Sequence, residues 1–345
     1  MEFRFLGRTG VQVSAIAFGT MTFGGLGRFQ HCGTVGEEEA SRHIRLCLDA
    51  GVNLFDTADV YSQGRSEEIL GQALGRHRDD ILVATKMHCA IGPGVNDIGQ
   101  SRYHIVRACE ASLRRLKTDR IDLYQMHGYD GHTDVMETLR ALDDLVRSGK
   151  VRYVGCTEFS AWHLMKALGL ADSAHLTRFA ALQSYYSLAG RELEYEFVPL
   201  CLDQGVGILA WSPLAGGFLT GKYRPGQPDP PNTRRRNMGD PGTIDQARGY
   251  ETIEVLEAIA AERGVSAAQA AINYVRGKPG VTSVVIGARN EDQLADDLAA
   301  AQWSLSAGEM DRLDKVSQAP LPYPYWNQQR FNQDRMSWPE AAVMR

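Results

Sequence analysis

No CxxC pair occurs in this chain; its six cysteines, Cys32, Cys47, Cys89, Cys109, Cys156 and Cys201, are dispersed, and several lie inside apolar runs. A thiol in such a setting behaves as a small hydrophobe, so neither a disulfide framework nor a zinc site is expected. No apolar run approaches the ~20 residues of a membrane-spanning helix. The opening MEFRFLGRTG lacks the apolar stretch of a signal peptide, and a cytoplasmic location is expected. An excess of basic charge is also absent. A formal net charge of -5 gives no positive field to neutralise nucleic-acid phosphates or to hold an anionic membrane surface. What remains is 345 residues, 43% hydrophobic and 23% charged, enough to bury a sizeable core and suited to a small-molecule partner. Either a monomer or a homo-oligomer is compatible with that composition.

Short apolar runs alternate with longer amphipathic ones. FRFLG and VQVS, separated by RTG, read as a small hairpin, after which SAIAFG precedes the helical run EEEASRHIRLCLDAG. The pattern repeats with VNLFD, ILVATK, IDLYQMH, VRYVGC, AALQS, VGILAW and TSVVIG, each followed by a helical segment, to give eight strand-helix units. Parallel strands need right-handed crossovers, and eight units over roughly 250 residues have the dimensions of a closed barrel. The fold class expected is therefore α/β: a (β/α)8 (TIM) barrel with an N-terminal β-hairpin and extra helices at AAQAAINYVRG and AGEMDRLDKVSQ. One domain is expected over residues 1–345, with a core at about 3–317 and a tail at 318–345 that has no clear period beyond Tyr323. The polar stretch from Tyr223 to Gly249 is too long for an idle turn, and a mobile excursion over one end of the barrel is expected.

In a parallel barrel the carboxyl ends of the strands converge on one face. Asp56, Lys86, His127, Thr157, Gln183, Trp211 and Gly287 stand at the ends of strands two to eight of the barrel, where apolar runs tolerate polar groups only at some cost. Any single member has an ordinary structural reading, as a turn cap or a satisfied core histidine. Jointly, and with Tyr61 nearby, they read as a site that polarises a carbonyl. A phenol is a weak acid near pKa ~10, an adjacent ammonium stabilises its phenolate, a carboxylate holds the ammonium, and an imidazole orients the oxygen.

Other patterns fail on context. Gly205, Gly207 and Ala210 match G-x-G-x-x-A, but a strand and not a helix follows. His127, Asp130 and His132 have no recognised metal geometry, and no metal is expected. The Arg234 to Arg236 cluster reads as a solvated loop charge run.

The segments GVNLFDTADVYSQGRSEEILGQAL, VATK, DLYQMH, GKVRYVGCTEFS, WSPLAGGFLTGKY and VIGARNEDQL, in that order, closely resemble the aldo-keto reductases, particularly members like potassium-channel beta subunits and aryl-alcohol dehydrogenases. The resemblance covers the chain from about Phe3 to about Ser317. It implies a catalytic tetrad of Asp56, Tyr61, Lys86 and His127. The activity implied is hydride transfer between NADPH and an aldehyde or ketone, with NADH as the alternative nucleotide. It also implies an extended cofactor site. Thr20 and Met21 would form its nicotinamide edge, Gln183 the carboxamide contact and Trp211 the stacking face. Ser212, Pro213, Leu214, Ala215, Gly217 and Lys222 would clasp the pyrophosphate. Gly287 and Arg289 would meet the 2′-phosphate, with Gln293, Asp296 and Asp297 toward adenine. Two departures from the family pattern stand out: Thr157 and Glu158 replace Ser-Asn, exchanging an amide donor for a carboxylate acceptor, and Asp297 replaces a common Asn.

Phe23, His88, Tyr129, Phe218 and Trp326, with Tyr323 and Tyr325, are candidates to line an apolar substrate cleft, with packing on the barrel wall as an equal alternative, and the insertion from Gly25 to Gly36 is placed to shape access to it. The leading expectation is an oxidoreductase with Tyr61 as acid or base. The rivals are a catalytically weak NADP(H)-binding regulatory subunit and a Schiff-base aldolase using Lys86.

Overall fold

Eight apolar runs pair side by side as parallel strands. After the antiparallel hairpin β1 (Phe3–Phe5) and β2 (Gln12–Ser14), they are β3 (Ile16–Gly19), β4 (Leu54–Asp56), β5 (Leu82–Met87), β6 (Ile121–Met126), β7 (Val151–Thr157), β8 (Phe179–Tyr185), β9 (Gly207–Trp211) and β10 (Val281–Ile286). β10 pairs with β3, so the ring closes, as the eightfold alternation predicts. The computed structural model describes every residue except 232, 234, 237, 238, 240, 241, 243, 332–334 and 343–345.

The pleat divides the side chains of each strand between two cores. Ile16, Phe18, Phe55 and Val83 join the large cluster that the surrounding helices complete. Ala17, Leu54, Ala84, Leu123, Ala181, Leu209 and Val285 form a separate cluster within the ring, together with Leu6 and Val13 of the hairpin. The hairpin closes the amino-terminal end of the barrel. Arg8 donates its N–H to the Gly205 carbonyl at 2.9 Å, and Arg4 reaches the carbonyl of Val281, where β10 begins. Gly7 is required at this plug, because its φ is +58° and a Cβ there would stand 2.5 Å from the Gly205 oxygen. The other end of the barrel stays open to ligands.

Helices start where short polar side chains accept their free N–H groups, as Ser101, Asp134, Ser266, Asn290 and Ser306 do. Asp245 caps Gln246–Arg263 in the same way, so this helix begins four residues before the apolar period at Tyr250 becomes visible. Among the described residues no helix is long and apolar enough to cross a membrane.

Two expectations are corrected. The tail is not without regular structure: Tyr325–Phe331 and Trp338–Ala341 are short helices, the second started by a capping box between Ser337 and Glu340. The Tyr325 ring stacks on Tyr195 at 5.6 Å and its hydroxyl donates to Glu196. The polar loop after Tyr223 is also packed in part. The Arg235 guanidinium lies 5.0 Å from the rings of both Phe218 and Tyr223 and is paired with Asp229, so it is not a solvated charge. Arg236 is exposed, and Arg234 lies outside the described residues.

Candidate active site

Three consecutive barrel strands bring the reactive groups together. Asp56 ends β4, Lys86 is the last residue but one of β5, and His127 follows β6, with its N–H on the Met87 carbonyl at 2.9 Å. Tyr61 lies on the turn after β4, where Ser62, Gln63 and Gly64 all adopt positive φ and so hold the ring above the strand ends.

The Lys86 ammonium donates to Asp56 Oδ2 at 2.5 Å, to the Thr57 carbonyl at 2.7 Å and to the Tyr61 hydroxyl at 3.5 Å. It is fully buried. Burial alone would discharge it, yet Asp56 and Tyr61 outweigh that penalty and hold the ammonium above its ordinary value. The His127 ring packs edge-on to Tyr61 at 5.7 Å. Its pKa is pushed well below the ordinary histidine value, first by the protein crowded around it and then by the charges of Lys86, His88 and Arg28. Among the described residues its Nδ1 has no hydrogen-bond partner. At neutral pH this is an uncharged imidazole beside a phenol that is itself beside a cation.

Asp56 is held from its other side by two amides. Gln183 Nε2 donates to Oδ1 at 2.8 Å and Gln125 Nε2 at 3.2 Å. Gln125 escaped the sequence reading, although an amide inside the apolar run IDLYQM is itself a signal of a buried polar partner. Gly155 on the neighbouring strand makes room for it, since a Cβ there would lie 3.3 Å from Gln125 Cγ. Thr20 is fully buried and does not edge the cavity as expected. Its N–H and hydroxyl both bond the Asp56 carbonyl, and the hydroxyl pairs with Ser66 at 2.8 Å.

A cavity of about 670 Å³ opens over these groups and continues along the ends of β9 and β10. Its walls include Met21, Asp56, Tyr61, His127, Thr157, Glu158, Gln183, Trp211, Ser212, Pro213, Leu214, Gly217, Lys222, Gly287, Arg289, Gln293, Asp296 and Asp297. Lys86 lies beneath it, and Ala215 is buried in the turn behind it, with no surface for a ligand. Trp211 Nε1 donates to Glu158 Oε1 at 2.7 Å, so the carboxylate that replaces an amide fixes the indole. The close walls of the cavity raise the Glu158 pKa. After β9 the backbone turns through positive φ at Ser212, Ala215, Gly216 and Gly217. Gly217 leaves space for the Lys222 ammonium, which would stand 2.9 Å from a Cβ at that position. At the far end Asn290 caps the helix Glu291–Ala299 beside Arg289. Burial, and then the charge of Asp296, push the Asp297 carboxyl up to about 7.

The aromatic expectations are corrected. None of Phe23, His88, Tyr129, Phe218 and Trp326 is part of the cavity wall. Phe23 and Phe218 are fully buried, where rings of that size gain most from packing. Tyr129 stacks on His163 at 3.5 Å, and Trp326 lies half exposed beside Tyr323 in the tail. His88 is half-buried, with its ring against Gly128. The residues gathered around Tyr61 instead include Met21, Phe29, Cys32 and Cys89, with Arg28 beside them in the wall. Three of these five belong to the insertion from Gly25 to Gly36. Asp130 is occupied as a loop staple, accepting from the N–H groups of Gln100 and His132 and the Thr133 hydroxyl.

Comparison with known proteins agrees with this geometry. The model of the Aldo/keto reductase family matches residues 15–318. A probable voltage-gated potassium channel subunit beta of Arabidopsis thaliana is 37% identical over 336 residues, covering 94% of this chain and 99% of its own. An uncharacterized oxidoreductase, YrpG, of Bacillus subtilis (strain 168) is 36% identical, covering 93% and 97%. A versiconal hemiacetal acetate reductase of Aspergillus parasiticus is 33% identical, covering 91% and 96%. With the closed barrel, the converging strand ends and a family match across most of its length, this chain belongs to the aldo/keto reductase family of oxidoreductases.

Proposed function

We propose that this protein interconverts an aldehyde or ketone and its alcohol, with NADPH as the preferred partner in hydride transfer. The observation that carries the reading is the meeting of Tyr61, Lys86, Asp56 and His127 at one cavity floor, the Lys86 ammonium bonded both to Asp56 and to the Tyr61 hydroxyl. In this reading Tyr61 gives its proton to the carbonyl oxygen in reduction and takes it back in oxidation. Lys86 stabilises the phenolate left behind, and Asp56, fixed by Gln125 and Gln183, keeps that ammonium in place. His127, uncharged, orients the carbonyl oxygen by a neutral hydrogen bond.

The walls suit an extended dinucleotide. Trp211 offers a flat face near the tetrad, and Lys222 and Arg289 supply positive charge farther along the same cavity. Ser212, Pro213, Leu214 and Gly217 would cradle the pyrophosphate and Gly287 and Arg289 the 2′-phosphate, with Met21, Thr157, Glu158 and Gln183 around the nicotinamide and Gln293, Asp296 and Asp297 near adenine. When bound, the reduced nicotinamide supplies the hydride.

A second reading has support in the name of the Arabidopsis relative: a nucleotide-binding regulatory subunit with weak catalysis. The aldolase reading loses ground, because Lys86 is buried, charged and engaged by three acceptors, which is the wrong state for an attacking amine. Tryptophan fluorescence titration with NADPH and NADH, followed by NADPH consumption across a panel of aldehydes and ketones, separates the first two. Tighter NADPH binding with turnover is expected. Binding without turnover of any carbonyl would favour the regulatory subunit.

A further inference from the structure

The cavity is not symmetrical in its charges. At the end formed by Met21, Phe29, Cys32 and Cys89 around Tyr61, the wall is apolar or weakly polar with one exception, Arg28. Its guanidinium lies 5.1 Å from the Phe29 ring centroid, and Phe29 packs edge-on to Tyr61 at 5.2 Å, so the cation is two ring contacts from the proposed proton donor. It is also close enough to His127 for its charge to act on that ring. The charged groups beneath it are already matched, since Lys86 and Asp56 neutralise each other in the barrel. The acids elsewhere in the wall are turned to other tasks: Glu158 accepts from Trp211, and Asp296 accepts from Ser266 and Gln269. Among the described residues no carboxylate pairs with Arg28.

A guanidinium stacked on a ring and left without an internal anion offers a planar pair of donors to a ligand carboxylate. Resting on the functional reading above, we propose that the substrate is a carbonyl compound that also carries a carboxylate. Its apolar body lies in the collar of Met21, Phe29, Cys32 and Cys89, its carbonyl faces Tyr61 and His127, and its acid group meets Arg28. Arg28 is then a specificity-determining residue of the Gly25 to Gly36 insertion, and the nucleotide phosphates are left to Lys222 and Arg289.

The test uses two matched aldehydes, 4-carboxybenzaldehyde and its methyl ester, with NADPH and the full chain. The wild type is expected to favour the acid over the ester in kcat/KM by about 10-fold, the size of one partly solvated charge-assisted hydrogen bond, and added salt is expected to shrink that ratio. Arg28→Met is expected to bring the ratio to about one, and Arg28→Lys to keep part of it. Calorimetric titration of 4-(hydroxymethyl)benzoate and its methyl ester, with NADP+ present, reads the same preference without turnover. No preference for the acid in the wild type would overturn the proposal, as would a ratio that Arg28→Met leaves intact. A Kd for NADPH that weakens in Arg28→Met while the ratio stands would assign Arg28 to the nucleotide instead. If neither aldehyde is reduced, yet the acid binds preferentially through Arg28, the anion subsite stands and the carbonyl-reducing reading falls.

Discussion

A tyrosine, a lysine and an aspartate meet in the cavity and meet again in the helical shell. In the cavity they are Tyr61, Lys86 and Asp56; in the helical shell they are Tyr274, Lys278 and Asp314. The lysine ammonium lies 5.0 Å from the ring centroid in the first and 5.1 Å in the second. The wiring differs. In the shell the Tyr274 hydroxyl donates straight to Asp314 at 2.6 Å, while Lys278 and Arg191 both bridge Asp314 and Glu194. Tyr186 completes the group by donating to Glu194 at 2.5 Å. In the cavity the carboxylate is shared among Lys86, Gln125 and Gln183, and the Tyr61 hydroxyl, in a cavity wall, meets the ammonium at 3.5 Å. A saturated cluster clamps helices, whereas one that leaves a hydroxyl facing open space can exchange a proton. Burial, Glu194 and Asp314 outweigh Arg191 and push the Tyr274 phenol well above its ordinary value, which makes it a poor acid.

Paired substitutions break the comparison most sharply at the tyrosines. Tyr61→Phe is expected to lower kcat on the order of 10²–10⁴-fold with nucleotide affinity and melting temperature kept, as expected for loss of general acid catalysis. Tyr274→Phe should do the reverse, retaining turnover while losing about 1–3 kcal/mol of stability in urea unfolding. Steady-state kinetics and unfolding curves on both variants decide it, and a similar loss of turnover in both would erase the distinction.

The lysines give the next contrast. Lys86→Met leaves Asp56 buried with amide donors alone, and a loss of about 3–5 kcal/mol is expected together with loss of turnover. Lys278→Met leaves Arg191 on both carboxylates, so a loss of about 1–2 kcal/mol with turnover intact is expected. Equal destabilisation by the two would mean that Arg191 does not share the charge.

Two aspartates, the half-buried Asp314 and the buried Asp297, give the smallest and most pH-sensitive test. Asp314 is opposed by burial, yet Lys278, Tyr274 and Arg191 hold its pKa below the ordinary range, whereas Asp297 is raised to about 7. A raised acid adds stability that is fully present below its unfolded value and is lost as pH rises to about 7. Around pH 7 a negative charge appears in the cavity wall of the folded protein, so NADPH is expected to bind about fivefold more weakly at pH 8 than at pH 6. Asp297→Asn should flatten both the affinity and the melting profile against pH. A wild-type Kd that is flat across that range would remove Asp297 from the nucleotide site.

The barrel was legible because its strands are unbroken apolar runs, and Asp56, Lys86 and His127 were legible because each interrupts such a run at its end. Tyr61 came with the FDTAxxYxxGxSE resemblance and not from periodicity, since it sits on a turn of positive-φ residues. The aromatic lining expected for the cavity was misread for a physical reason. Aromatic rings beside loops gain as much from filling the barrel wall as from lining a cleft, and Phe23 and Phe218 went to the core. Arg28 and Phe29 lie in a glycine-rich insertion with no period, where only tertiary structure reveals which face meets the cavity. The two tyrosine clusters make the same point: Tyr274 and Lys278 stand close together in sequence, yet it is in the dispersed set that Tyr61 and Asp56 border the cavity, with Lys86 beneath them.

The most direct test of that difference is a crystal structure of the protein with NADP+. The account predicts the nicotinamide ring between Trp211 and the Tyr61 hydroxyl, with its phosphates near Lys222 and Arg289 and the cluster at Tyr274 untouched. A nucleotide seated elsewhere, or a Tyr61 hydroxyl turned away from the nicotinamide, would contradict it.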